Sequence, residues 1–339
     1  MILITGGGTG GHLSIAKTLC EEYNNKNIRP LYIGSSNGLD KEWFDGYPGF
    51  KSTIFLSTYG VVNRGFFGKI KSLFNIFKKT LWCREFIKNK EVKAVISVGG
   101  YAAAPASFAA ILTKTPLFIH EQNAKLGTLN KLLKPFAKEF FSSYEKSSSI
   151  KDYPVSERFF KAFRKRSEVK TILFLGGSQG AEAINSLAIS LAPWLKEKDI
   201  KIIHQCGKVG EKKVVDFYEK NSINATVFAF SLEVDKYMHQ ADIAIARSGA
   251  GTLWELTAAG VPTLFIPYPH AASNHQFFNA LFLKDRALAS IITQDKLNIK
   301  EVKKWIENVE VKSISTLLQQ QIKPDGAKKI IGRIESGSI

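Results

Sequence analysis

Cysteine is scarce in this 339-residue chain: Cys20, Cys83 and Cys206 stand far apart and form no C-x-x-C pair. That spacing argues against a disulfide framework and a thiol-built zinc site, and it fits a reducing cytosol. No D-x-D triplet occurs, so the carboxylate pair with which many sugar-nucleotide enzymes hold a divalent metal is missing. Long apolar runs are missing as well. The opening MILITGGGTGG has no basic leader and only a short apolar stretch, unlike a signal peptide. The most apolar later stretch, 102–112, is too short to span a bilayer and contains Pro105. These absences predict a protein that is soluble or attached to a membrane surface. With no long low-complexity segment and a hydrophobic fraction of 45%, the chain is neither disordered nor fibrous.

Acidic residues are outnumbered, 30 Asp+Glu against 47 Lys+Arg, which leaves a formal charge of +17. Such a balance predicts a polyanionic neighbour, whether nucleic acid, anionic lipid or a phosphorylated substrate. A source organism with generally lysine-rich proteins would give the same total. No RNP-like aromatic pair, zinc spacing or basic recognition helix supports nucleic acid.

What is present is an alternation of short apolar strands and helices. Strands are predicted at 1–5, 30–33, 94–98, 116–120 and 140–142, with a helix over about 12–23. The pattern restarts with a strand at 171–175 and a helix over 181–195, followed by strands at 200–205, 226–228, 243–246 and 263–266. This is the grammar of an α/β protein with two doubly wound halves, each a parallel sheet covered by helices. Domains are expected at 1–150 and 151–325, with the basic segment 147–170 as linker. The tail 326–339 reads as partly helical, with little order beyond Ile334.

Two strand-to-helix turns are rich in glycine: Gly6-Gly7-Gly8-Thr9-Gly10-Gly11-His12 and Gly176-Gly177-Ser178-Gln179-Gly180-Ala181. Glycine permits positive φ and close approach of a ligand, and a helix start offers unpaired N–H groups to phosphate. Dinucleotide enzymes carry G-x-G-x-x-G in the same place, but the next strand here runs into Gly34-Ser35-Ser36 without the expected acid. A pair of such loops, one per half, points to two domains whose strand ends face a shared cleft. Tight turns made only for packing are the plainer alternative.

The segment 247–262 (RSGAGTLWELTAAGVP) again brings small residues to a helix start, with Glu255 inside the helix. That carboxylate can accept two hydrogen bonds from a ribose diol, or can merely complement the helix dipole. Asn274 and Gln276 can bond sugar hydroxyls, whereas His270 and His275 alone read as turn or capping residues. Phe66, Phe67, Ile70, Leu73, Phe74, Phe77 and Leu81 share one helical face flanked by Lys69, Lys71, Lys78 and Lys79. This is the pattern of an interfacial helix on anionic lipid, or of an ordinary amphipathic helix packed on the sheet.

GGGTGGH, GGYAAAP (99–105), HEQNA (120–124), GGSQGA, RSGAGTLWELTAAGVP and HQFFNA (275–280) occur in this order. Together they resemble the MurG family of peptidoglycan N-acetylglucosaminyltransferases. The resemblance implies a GT-B fold, two Rossmann-like domains facing a cleft, and a hexosyltransferase. It implies inverting transfer of N-acetylglucosamine from UDP-GlcNAc to the C4 hydroxyl of MurNAc in undecaprenyl-diphospho-MurNAc-pentapeptide, turning lipid I into lipid II. It assigns acceptor binding and membrane association to the first domain and UDP-GlcNAc binding to the second.

By the same resemblance His12 is the general base, and a histidine's ordinary pKa of about 6.5 suits that task. Donor contacts are expected from Ser178, Gln179, Ser231, Ala250, Gly251, Thr252, Glu255, His275 and Gln276, with Phe230 near uracil, and from Thr9, Gly10, Gly11 and Asn123 of the first domain. Tyr101 and Glu121 are expected on the acceptor side. Neither a cofactor nor a bound catalytic metal is expected. The expected partners are UDP-GlcNAc, lipid I and an anionic membrane surface met by the 66–81 region, with no nucleic acid. The expected location is the cytoplasmic face of the bacterial membrane, as a peripheral protein. Two departures stand out. Where the family carries N-P-V-R, this chain has Tyr153-Pro154-Val155-Ser156, with Arg158 nearby. Where acidic residues are frequent, it has Ser273 and Asn274. The rival enzyme is a UDP-sugar-dependent diacylglycerol glycosyltransferase, against which HEQNA and GGYAAAP weigh.

Overall fold

A computed structural model describes residues 1–60, 65–177 and 180–337, with Phe66 described by its backbone only. The chain divides into two compact units, Met1–Val155 with Asp325–Ile339, and Ser156–Pro324. The first unit runs β1 (Ile2–Thr5), α1 (Gly10–Asn24), β2 (Leu31–Ser35), α2 (Asp40–Phe44), β3 (Ser52–Leu56), α3 (Phe66–Asn89), β4 (Ala94–Ser97), α4 (Ala104–Thr113), β5 (Leu117–His120), α5 (Thr128–Leu133) and β6 (Glu139–Phe141). The second runs α6 (Glu157–Lys161), β7 (Thr171–Leu175), α7 (Glu182–Glu197), β8 (Lys201–Gln205), α8 (Glu211–Lys220), β9 (Ala225–Phe228), α9 (Val234–Gln240), β10 (Ile243–Ala246), α10 (Ala250–Ala258), β11 (Thr263–Phe265), α11 (His275–Lys284), β12 (Ala289–Ile291), α12 (Ile299–Asn308) and α13 (Val311–Gln319). The last helix, α14 (Gly326–Gly337), returns to the first unit.

Each unit holds one six-stranded sheet, ordered β3-β2-β1-β4-β5-β6 and β12-β11-β10-β7-β8-β9. Every strand pair is parallel. Renumbered within its own unit, each sheet has the doubly wound order 3-2-1-4-5-6. The order reverses between β1 and β4 in one unit and between β7 and β10 in the other, the topological switch points at which doubly wound sheets bind ligands.

The central strands are apolar because helices cover both faces. Leu3, Ile33, Val95 and Ile119 pack with Cys83, Ile87, Ala106 and Leu133 in the first unit. Ile172, Phe174, Ile202, Ile243 and Leu264 pack with Leu187, Leu191 and Ile306 in the second. Each such aliphatic side chain contributes about 1.5–3 kcal/mol by leaving water. The three cysteines are free and buried, and burial pushes the Cys20 and Cys83 thiols up to about 12, which makes them inert. Two strands escape the sequence pattern, β3 and β12. Both are edge strands, partly exposed, and neither has the continuous apolar run of a central strand.

The tail helix α14 buries Ala327, Ile330, Ile331 and Ile334 and continues past Ile334 to Gly337. Lys26–Glu335 and Arg333–Glu139 ion pairs fasten it to the first unit. In α3 the two sides are reversed from a packed amphipathic helix. Ser72, Ile76, Thr80, Cys83 and Ile87 face inward. The apolar residues Phe67, Leu73, Phe74 and Phe77 are 85%, 56%, 59% and 58% exposed, and Ile70, Leu81 and Trp82 are exposed beside them. No helix among the described residues is long and apolar enough to cross a membrane.

Candidate active site

At the switch point of the first unit, two glycine turns interlock by their backbones. The Gly7 amide donates to the Gly99 carbonyl at 3.2 Å. A Cβ on Gly6 would lie 2.5 Å from the Gly99 carbonyl oxygen, and one on Gly100 would collide with that of Gly7. With φ of +128° and +77°, both positions demand glycine. Thr9 then turns extended and α1 opens at Gly10, so the amides of Gly10 and Gly11 have no acceptor in a preceding turn. A Cβ on Gly11 would meet open space, so this glycine serves no packing contact.

His12 stands in the first turn of α1, its Nδ1 2.7 Å from the Thr9 hydroxyl. If Nδ1–H donates to Thr9, Nε2 keeps the lone pair that a base requires. The ring lies against Gly99, whose added Cβ would be 3.3 Å from Cδ2 and Nε2. Behind it, burial first and the charge of His12 second hold His120 down to about 3, so His120 stays neutral. Tyr101 braces the glycine loop: its hydroxyl donates to the Asn37 carbonyl at 3.1 Å and its ring abuts Gly8.

Glu121 does not line an open acceptor surface, contrary to expectation. It is 1% exposed. Its carboxylate accepts from the Asn123 amide at 3.0 Å, the Gly127 amide at 2.9 Å and Asn130 Nδ2 at 3.0 Å. A carboxylate so engaged shapes the loop after β5 and holds Asn123 in it. Asn130, which no motif contains, links this loop to Gly99 and thereby to the His12 neighbourhood.

At the second switch point, Ser178 and Gln179 lie outside the described residues. Their loop is anchored on both sides. Gly176 donates to the Gln205 carbonyl at 3.3 Å, and Gly180 packs on the Cys206 carbonyl. Asn185 donates to that same carbonyl at 3.0 Å and accepts from His204 Nε2, while the Tyr218 hydroxyl donates to His204 Nδ1 at 2.9 Å. Asn185 and Tyr218 thus set the tautomer, and burial lowers His204 to about 4.

Helix α10 begins after Gly249, so the amides of Ala250, Gly251 and Thr252 are those a helix leaves unpaired. Glu255 lies one turn further, half-buried. Arg247 donates to the carbonyls of Ile266 (2.9 Å) and Pro267 (3.1 Å) and to Gln294 Oε1 (2.8 Å), tying β10 to the turn after β11. In that turn Gln276 Oε1 accepts the Tyr268 amide at 2.9 Å, and His275 Nδ1 donates to the Ala272 carbonyl at 2.8 Å. Asn279, absent from the expected set, is fully buried and donates to the Ser248 carbonyl at 3.2 Å. Ser273 and Asn274 both adopt φ of +52°, a conformation asparagine tolerates well. The Ser231 hydroxyl accepts the Glu233 amide at 3.0 Å, and Phe230 is exposed beside it. Arg158 donates to the Leu232 carbonyl and pairs with Asp235 at 3.4 Å, so it steadies this segment after β9.

Residues 2–142 match the glycosyltransferase family 28 N-terminal domain, and 171–334 match its C-terminal domain. A UDP-N-acetylglucosamine--N-acetylmuramyl-(pentapeptide) pyrophosphoryl-undecaprenol N-acetylglucosamine transferase of Campylobacter jejuni is 53% identical over 97% of this chain and 96% of its own. The protein of that name from Wolinella succinogenes is 49% identical over 97% and 98%. The crystal structure of Acinetobacter baumannii MurG superposes with a TM-score of 0.80 at 26% identity, covering 99% of both chains. The chain belongs to the MurG family. Its two Rossmann-like units are accordingly those of a GT-B glycosyltransferase. The similarity is near full-length, so it embraces both switch points described above.

Proposed function

We propose that this chain transfers N-acetylglucosamine from UDP-GlcNAc to the MurNAc C4 hydroxyl of undecaprenyl-diphospho-MurNAc-pentapeptide, converting lipid I to lipid II in peptidoglycan synthesis. The observation that carries this is the 53% identity to a transferase of that name over 97% of the chain. In this reading the second unit holds the donor. The α10 amides of Ala250–Thr252, with Ser178 and Gln179, take the diphosphate; Glu255 takes the ribose; His275 and Gln276 take the sugar; and Phe230 and Ser231 flank uracil. In the first unit Thr9, Gly10, Gly11 and Asn123 approach the transferred sugar and the acceptor diphosphate, with Tyr101 bracing their loop.

The chemistry is one in-line displacement with inversion. His12 takes the proton of the attacking hydroxyl through Nε2, with Thr9 orienting the ring. UDP gains charge as it leaves, and helix N-termini supply fixed positive dipoles for it. No resident metal is required in this reading. Among the described residues no trio of His, Cys, Asp or Glu is grouped to hold one. Transfer should persist in EDTA; complete loss restored by a single divalent ion would refute this.

The exposed apolar face of α3 and its lysines support docking on the cytoplasmic face of the membrane, where the lipid-linked acceptor lies. The test of the whole reading is UDP release from UDP-GlcNAc on mixing with a short-chain lipid I analogue, run beside a diacylglycerol acceptor. Release with lipid I alone is expected. Release only with diacylglycerol would replace this reading by its rival.

A further inference from the structure

The first glycine loop is held from behind by a residue outside every motif. After β2 the chain turns through Asn37 and Gly38 into α2, which opens with Asp40. Asp40 is fully buried. Its Oδ2 accepts the Gly8 amide at 2.7 Å, and its Oδ1 accepts the Ser35 amide at 2.8 Å. The Tyr32 hydroxyl is shared between the Gly6 carbonyl at 2.6 Å and Asp40 Oδ1 at 3.1 Å. These donors are all uncharged. Burial and the adjoining carboxylate raise the Tyr32 hydroxyl well above its ordinary value, so it stays a donor.

Glycines make room for this carboxylate. A Cβ on Gly7 would overlap Oδ1, and one on Gly38 would lie 2.8 Å from Oδ2 and 2.7 Å from Gly8 Cα. A buried carboxylate is costly unless its lone pairs are occupied, and here Oδ2 is occupied by the Gly8 amide of the loop and Oδ1 by the Ser35 amide and Tyr32 hydroxyl of β2. With its amide directed backwards, Gly8 takes φ of +88° and the following residues turn outward. Thr9 is exposed and α1 begins at Gly10. The phosphate-facing amides are therefore left to Gly10 and Gly11, and the Thr9–His12 contact is set one turn from the anchored amide.

We infer that Asp40 is a positioning residue for transfer: by holding the Gly8 amide it fixes the Thr9–His12 turn in which His12 acts as base. This rests on the reading of His12 as the general base.

A double-mutant cycle of Asp40→Asn and His12→Ala in the full chain tests it. An asparagine must turn its NH₂ towards the Gly8 or the Ser35 amide, so one tether is lost. Asp40→Asn should lower kcat roughly 10- to 100-fold while the KM for UDP-GlcNAc changes less than about twofold, the scale expected when a catalytic group is misplaced by about 1 Å. In the His12→Ala background the same change should cost almost nothing, because the group it positions is gone. A full, additive loss in that background, or unchanged kcat in Asp40→Asn alone, would overturn the inference. Near-normal turnover of His12→Ala alone would instead remove the base reading on which it rests. Should Asp40→Asn not fold, Tyr32→Phe, which removes the hydroxyl shared by Gly6 and Asp40, is read by the same cycle with a smaller expected loss.

Discussion

His12 illustrates how a backbone feature becomes a chemical one. A glycine turn brings the helix start to the switch point, where Thr9 stands 2.7 Å from Nδ1; in the proposed reading Nδ1–H donates to Thr9 and Nε2 is the basic atom. Replacing His12 with Ala should lower turnover by about 10²–10⁴-fold, the contribution typical of a positioned base, with donor affinity nearly unchanged. Near-normal turnover would sink the assignment. In the proposed reading Glu255 acts on the other substrate, the donor. Glu255→Gln should raise the KM for UDP-GlcNAc about 10- to 100-fold, because hydrogen bonds to a charged acceptor are worth about 1.5–3 kcal/mol. A KM within twofold of the parent would return Glu255 to a helix-dipole role. At this scale the glycine turns were legible because their residues are contiguous in the chain. Asp40, Asn130 and Asn279 were not, because each reaches its loop from another element and only the fold brings them there. Glu121 was legible as important but not in orientation; nothing in HEQNA says that its carboxylate turns inward.

Among the elements, α3 separates pattern from orientation. Helical spacing places Phe67, Phe74 and Phe77 on one face, and that much could be read directly. Which face meets the protein depends on α4, whose packing selects the stripe of Ser72, Ile76, Thr80, Cys83 and Ile87 instead. A membrane-docking helix should then lose vesicle binding in Phe67→Ser/Phe74→Ser while keeping its turnover on a soluble short-chain acceptor. Binding that is unchanged, or indifferent to anionic lipid, would count against docking. The edge strands β3 and β12 show the complementary limit: partly exposed and with mixed side chains, they resemble loops until their neighbours are in place.

The whole molecule repeats one topology twice, and buried neutral histidines tie its stability to pH. Burial lowers His204 to about 4 and His120 to about 3. Both titrate near 6.5 when unfolded. Between those values the unfolded chain binds more protons than the folded one. The stability is therefore complete above about pH 6.5 and falls as the solution is acidified towards pH 4. His204→Gln should flatten that fall by up to about 1.4 kcal/mol per pH unit in urea unfolding. An unchanged slope would mean that His204 is already charged in the folded state. The doubly wound pattern itself was visible in the sequence, since central strands read as apolar runs. The return of α14 to the first unit was not, because its apolar stripe of Ala327, Ile330, Ile331 and Ile334 does not name its partner.

The most direct measurement on the account as a whole is the structure of the product formed from UDP-GlcNAc and a lipid I analogue, read by NMR. A single displacement with His12 as base predicts N-acetylglucosamine joined in the β configuration to C4 of MurNAc. An α linkage, or attachment at any other hydroxyl, would contradict it.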